Sequence, residues 1–480
     1  MNSFFSIWFI ALVGILFVVY YALPNYKIRN IFLLFASYAM YGIWNIRYVL
    51  VLMIVSLVTY LIAQKIEKSD APKSWTTVGI GLILFFLVAF RYWNIVARML
   101  YDAVGLTNSD GGAIIILLPL GLSYYTLVAI GYLVDVYRGK CEAEKSIISV
   151  GLLLAFFPCV IAGPIERGTN LLHQFKQNRE FEYDGVKEGL LYVGWGYFLK
   201  LLVADRIAQI VNPAFDLYFE QTGATLLLAV ILYALQLYAD FSGYSYIAIG
   251  TAKLFGIHVM ENFKQPYFAV DVKDFWNRWH ISLSSWLRDY IYIPLGGNRK
   301  GKGRQLCNLM VTFLVSGLWH GNGIHFWFWG LLHGLYQCIA KLLPSRGKQL
   351  ESAAVVKVVR MIGTFILVDL AWLFFRAPSV VDGLKILKRI VTHFGFATTV
   401  ASGSYLVGFD PGRAIVLILE LVLLLVVDIV HEKGIKVGSC LNKAPVVVRW
   451  VVYYLLLFAL IFGVAYNYGG EASAFIYAQF

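Results

Sequence analysis

The sequence predicts an all-α integral membrane protein, and three observations carry that expectation. Counted with glycine and without tyrosine, about 62% of the 480 residues are apolar, against roughly 45 to 50% in soluble domains. Charged residues make up 14%, where a soluble surface raises the share to roughly 25%, and the mean hydropathy is +0.70. Apolar runs long enough to cross a hydrocarbon core of about 30 Å recur from one end of the chain to the other. Inside lipid the backbone has no water to bond, so such runs are helices. Their number implies about 11 to 13 transmembrane helices.

The first run, 4–23, has no Lys or Arg before it and passes into Tyr21-Ala22-Leu23-Pro24-Asn25 without a small-residue cleavage site. It is expected to be a retained helix rather than a signal peptide. Runs at 31–45, 46–64, 77–94, 114–136, 146–163 and 187–211 follow, and 223–256 is too long for one crossing. The later runs are 306–320, 323–343, 356–376, 412–431 and 447–466. No pair of segments looks like a repeat and no soluble domain fits between them, so 1–480 is expected to be a single polytopic domain.

The same composition excludes disorder and a disulfide scaffold. Cys141, Cys159, Cys307, Cys338 and Cys440 show no zinc spacing and are read as small buried hydrophobes. The net charge of +12 is read as loops held in the cytoplasm, not as nucleic-acid binding. Lys and Arg cluster at 65–73, 138–145, 299–304, 341–348 and 433–443, which places those loops inside. The stretch 393–411 and the tail after 465 then fall outside, with the N-terminus.

Between 263 and 304 the pattern changes. Asp271, Lys273, Asp274, Asn277, Arg278, His280, Arg288 and Asp289 alternate with Trp276, Trp279, Trp286, Tyr290 and Tyr292. Such a segment cannot face hydrocarbon. It is either a re-entrant helix lining a cavity or an amphipathic helix on the membrane surface.

Ionisable side chains inside membrane segments are functional candidates, and of the eight histidines His320 stands out. It ends an apolar run, is followed by Gly321-Asn322-Gly323, and precedes another apolar run. From position alone it is either catalytic or a satisfied helix cap. His325 and His333 are expected to bond neighbouring helices, and His173, His258, His393 and His431 need no chemical role. Residues 296–303 have the spacing of a phosphate loop, but Gly303 stands where Ser or Thr must be. Ser242-Gly243-Tyr244-Ser245-Tyr246 lacks the second glycine of a hydrolase elbow, and there is no His-Glu-x-x-His zinc site.

Four stretches together resemble the membrane-bound O-acyltransferase family. They are Leu118-Pro119-Leu120-Gly121-Leu122-Ser123-Tyr124-Tyr125-Thr126, the Ala162-Gly163-Pro164-Ile165 region, Asp240-Phe241-Ser242-Gly243-Tyr244-Ser245, and above all 274–299 with 316–321. The most specific are Asp274-Phe275-Trp276-Asn277-Arg278-Trp279-His280 and Ser316-Gly317-Leu318-Trp319-His320-Gly321. Residues 113–345 are thus expected to form the motif-bearing catalytic core. The ending Pro294-Leu295-Gly296-Gly297-Asn298-Arg299 is similar to the bacterial branch that acetylates polysaccharides, the alginate type in particular. Tyr246 departs from it, since alginate-type members commonly carry Asp there; this bears on the polymer, not on the reaction.

The resemblance implies a tunnel through the membrane, an active-site histidine at His320 and a second functional histidine at His280. It also implies acetyl-CoA as a cytoplasmic donor substrate, with no resident cofactor or metal, and an extracytoplasmic partner protein that passes the acyl group to a polysaccharide. The expected location is a bacterial plasma membrane, crossed many times. Trp276, Asn277, Arg278, Ser284 and Trp319 are expected beside the substrates, with Ser284 one helical turn after His280. Arg299 and Lys300, in a loop with Lys302 and Arg304, are expected near the CoA phosphates. Two alternatives stand beside this: D-alanyl transfer to teichoic acid, and a transporter or flippase without acyltransferase activity.

Overall fold

The computed structural model describes residues 7–103, 118–343, 354–395 and 411–467. Among them every regular element is helical. In chain order these are α1 (Ile7–Ala22), α2 (Tyr26–Gly42), α3 (Ile46–Lys68), α4 (Pro72–Ala103), α5 (Leu122–Tyr137), α6 (Ile147–Ala155), α7 (Gly168–Gln174) and α8 (Tyr183–Tyr197). A π-turn, Phe198–Ala204, leads into α9 (Asp205–Asp216) and then α10 (Gly223–Leu254). After these come α11 (Val272–Arg278), α12 (Ile281–Leu287), α13 (Gly301–His320), α14 (Ile324–Leu342), α15 (Ala354–Arg376), α16 (Val380–Thr392), α17 (Pro411–Glu432), α18 (Val437–Lys443) and α19 (Val446–Asn467). The tail after 465 and the stretch 393–411, both placed outside by charge, lie almost wholly beyond the described residues, as does most of the basic loop 341–348.

Among the described residues, six helical segments are long and apolar enough to cross a membrane: Ile46–Lys68, Pro72–Ala97, Gly223–Leu254, Ala354–Arg376, Gly412–Glu432 and Val446–Gly463. Their surfaces say which solvent they meet. On α19, Val447 is 73% exposed, Leu455 63% and Phe462 64%. An apolar face of that extent is a membrane surface, not a water-facing one.

Several boundaries have local causes. Asn45 accepts a hydrogen bond from the backbone N–H of Arg47 and starts α3. The run 146–163, expected as a crossing, is helical only to Ala155: Phe156 leaves the helix at ψ 108°, and Pro158 has no N–H to give the carbonyl of Leu154. The run 187–211 is not one regular helix either: α8 passes through the π-turn, whose Lys200 is buried and paired with Asp205 at 2.8 Å and Asp240 at 2.6 Å. A charge taken out of water needs such partners. By contrast 223–256, too long for one crossing, is a single unbroken helix of 32 residues. The cysteines are unpaired but are not the buried hydrophobes expected: Cys307 and Cys440 are exposed and the other three are half-buried.

The chain divides into two compact units, Met1–Gly189 with Thr251–Met260, and Leu190–Gly250 with Glu261–Phe480. In the first, α3 packs on α4, α5 and α6. In the second, α13 and α14 run against each other, and α15 packs on α14. Their approach depends on glycine: a Cβ on Gly330 would lie 2.4 Å from the carbonyl oxygen of Phe313, and one on Gly317 2.4 Å from that of Phe326. Gly330→Ala is therefore expected to force the two helices apart and cost about 1–3 kcal/mol, read as a lower melting temperature in detergent. An unchanged melting temperature would show that the pair is held by other contacts.

Candidate active site

The polar stretch after 263 folds as α11 and α12, meeting at His280. α11 starts where the Asp271 carboxylate accepts from the N–H of Asp274 at 2.7 Å and stops as Trp279 turns extended. α12 continues through a π-turn, Arg288–Tyr292. His280 between them has φ 42° and ψ 54°, the left-handed region that β-carbon-bearing residues avoid. Backbone bonds on either side hold it there: Lys264 N–H to Arg278 O at 2.9 Å, and Ile281 N–H to Asn262 O at 3.0 Å. Strain held in this way by its surroundings is a mark of functional sites. Trp279, His280 and Leu283 are essentially inaccessible, so the segment is packed into its unit rather than lying free on a surface.

His320 is the last residue of α13 and is 3% exposed. Trp319, Trp329 and Phe375 surround its ring, with centroids 4.9, 4.9 and 5.4 Å away. His280 lies edge-on to Phe241 at 4.6 Å and shares Trp319 with His320, at 6.1 Å. Residues 40 positions apart in the sequence are thus brought into one buried aromatic cluster.

The other expected site residues divide. Trp319 lines both histidines. Trp276 is buried, but its indole N–H donates to Nδ1 of His333 at 3.2 Å, so His333 bonds across helices as expected. Arg278 is engaged by Asp274 at 2.9 Å and by Glu432 at 2.6 Å. It braces α11 against the end of α17. Asn277 is exposed, and the Ser284 hydroxyl donates to the carbonyl of Trp279 at 3.1 Å. Arg299 and Lys300 are exposed in the loop before α13. Tyr246 stacks on Tyr192 at 5.6 Å. The sequence reading missed Asn262, whose side chain bonds Ser245, His280 and Ser282.

A neutral imidazole is a base near neutral pH, and two of them in dry surroundings suit proton transfer to or from a hydroxyl, or a covalent acyl-imidazole. The helical stretch 281–292 is about 18 Å long at 1.5 Å per residue, and residues 293–298 lie between it and the basic loop that begins at Arg299. An extended pantetheine arm, counted as roughly five residue-lengths of chain, spans about 17 Å.

The model of the membrane-bound O-acyltransferase family matches residues 145–346. The chain is 37% identical over 364 residues to a probable alginate O-acetylase of Pseudomonas syringae pv. tomato, covering 75% of this chain and 69% of that protein. It is 34% identical to a probable alginate O-acetylase of Pseudomonas aeruginosa, over 84% of this chain and 77% of that one. A peptidoglycan O-acetyltransferase of Helicobacter pylori is 31% identical, over 78% of this chain and 77% of its own.

Proposed function

The chain belongs to the membrane-bound O-acyltransferase family and is an O-acyltransferase, and from that premise we propose that it takes an acetyl group from cytoplasmic acetyl-CoA and delivers it across the membrane for O-acetylation of an extracytoplasmic polysaccharide. The observation that carries the mechanism is the pairing of His280 and His320 within one buried aromatic wall. His320 takes the proton of an acceptor hydroxyl as its oxygen forms a C–O bond with the thioester carbonyl. The C–S bond then breaks, and the imidazole returns the proton to the departing thiolate. An acyl-imidazole formed first on His320 and then attacked by the hydroxyl balances equally. The acceptor is the polysaccharide or a partner protein that carries the acyl group to it. The relatives' names, which speak of acetylation of alginate or peptidoglycan, favour acetyl over D-alanyl.

In this reading the protein sits in a bacterial plasma membrane and crosses it 11 to 13 times. α11 and α12 are re-entrant and line the tunnel. Arg299, Lys300, Lys302 and Arg304, exposed together in the loop and the first turn of α13, receive the CoA phosphates.

Purified protein with acetyl-CoA and an acceptor glycan, without any ion gradient, is expected to release CoA thiol and acetylate the glycan. A transporter does neither. Arg299→Gln with Lys300→Gln is expected to raise KM for acetyl-CoA by roughly two- to thirtyfold, the worth of two exposed ion pairs, and to flatten its salt dependence. If KM and salt dependence stay unchanged in the double variant, the loop serves only as a topology signal.

A further inference from the structure

Asn262 lies in the loop between α10 and α11 and is 1% exposed. Its amide faces three groups whose roles can be assigned. The backbone N–H of Ser282, 3.2 Å from Oδ1, is a donor and nothing else, so the oxygen is correctly on that side. The Ser282 hydroxyl donates to the same oxygen at 2.9 Å. The amide nitrogen, on the other side, donates to the hydroxyl of Ser245 at 3.2 Å, which ties the amide to α10. Nδ1 of His280 is 3.1 Å from Oδ1. An oxygen that already accepts from Ser282 can only accept again, so Nδ1 must carry a proton.

We infer that Asn262 is a positioning residue for acyl transfer, which holds His280 as its Nδ1–H tautomer with the lone pair on Nε2, across the ring. The inference rests on the proposed functional role of His280. Three features support each other. The amide is anchored at both ends, His280 is held at a positive φ by a backbone bond to Asn262 itself, and the ring is walled by Phe241 and Trp319. Among the described residues, the ionisable His320 of α13 lies beyond Trp319, the ring that both histidines touch. Asn262 therefore decides which nitrogen is basic, as second partners of catalytic histidines do elsewhere.

The direct test leaves Asn262 unchanged. With ¹⁵N-labelled histidine, the His280 signal, assigned by its loss in His280→Gln, is expected to show a protonated Nδ1 and a bare Nε2. The opposite tautomer would overturn the inference. A second test replaces the amide by a charge. Asn262→Asp keeps the acceptor oxygen but sets a carboxylate against the ring, which favours the imidazolium. The acid limb of the kcat profile is expected to move up by about one to two pH units, with KM for acetyl-CoA little changed. An active Asn262→Asp protein with an unmoved limb, while His280→Gln is inactive, would sink the positioning role alone. Full activity in His280→Gln would instead sink the role of His280 and the inference with it.

Discussion

His320→Ala protein is expected to insert and fold while its acyl transfer falls by roughly 10²–10⁴, the range removed with a general base. The ring is 3% exposed and sits among Trp319, Trp329 and Phe375, so a loss of packing must be separated from a loss of chemistry. His320→Gln fills more of the space and hydrogen-bonds without acting as a base near neutral pH. Both variants should therefore be equally inactive, although only the alanine should lower the melting temperature. His280→Ala is expected to be impaired as well. If the two rings act in one step, the double variant is no slower than the worse single one. Near-normal acylation in His320→Gln would make the residue a structural cap, the alternative its position at a helix end leaves open.

What the sequence made legible and what it hid follow from the range of the forces involved. Solvent class is a bulk property, so composition alone announced the membrane, and the six long apolar helices agree with it. The motif around Trp276 and His280 and the one around Trp319 and His320 are local strings and could be read as such. Their meeting could not, because it depends on tertiary packing. Helix boundaries were hidden where a short-range signal inside an apolar run outweighed the run itself. α6 stops after nine residues, where Phe156 turns out of the helix ahead of Pro158, and the buried Lys200 sits in a π-turn where a smooth helix was expected. Arg278 shows the converse. It belongs to the motif that carries His280, and yet its guanidinium is taken up by Asp274 and Glu432, the latter 154 residues away. Asn262 was invisible because its partners, at 245, 280 and 282, come from two other segments and follow no periodicity.

The second large effect concerns sidedness. In vesicles of known orientation, with acetyl-CoA only on the side bearing the 299–304 loop and an acceptor or partner only on the other, acetylated acceptor should appear outside and CoA should stay inside. The cost of charge decides this. The CoA phosphates would each lose several kcal/mol or more on entering an apolar interior, whereas the acyl-pantetheine arm is uncharged. The fold offers a matching division of labour. α13 begins at the exposed basic loop and ends at His320, and its 20 residues are about 30 Å long, close to the thickness of the hydrocarbon core. An uncharged arm of about 17 Å covers little more than half of that length, so a donor held by its phosphates at one end carries its thioester well into the membrane without moving its charges, though not the whole way to His320. Transfer only when donor and acceptor share a side would reject the crossing and leave the acyltransferase assignment intact, because chemistry at His320 does not depend on where the acceptor waits. Transfer across the membrane that persists in Arg299→Gln with Lys300→Gln, but at raised KM, would put the phosphate contacts at the entrance and the catalytic step beyond it.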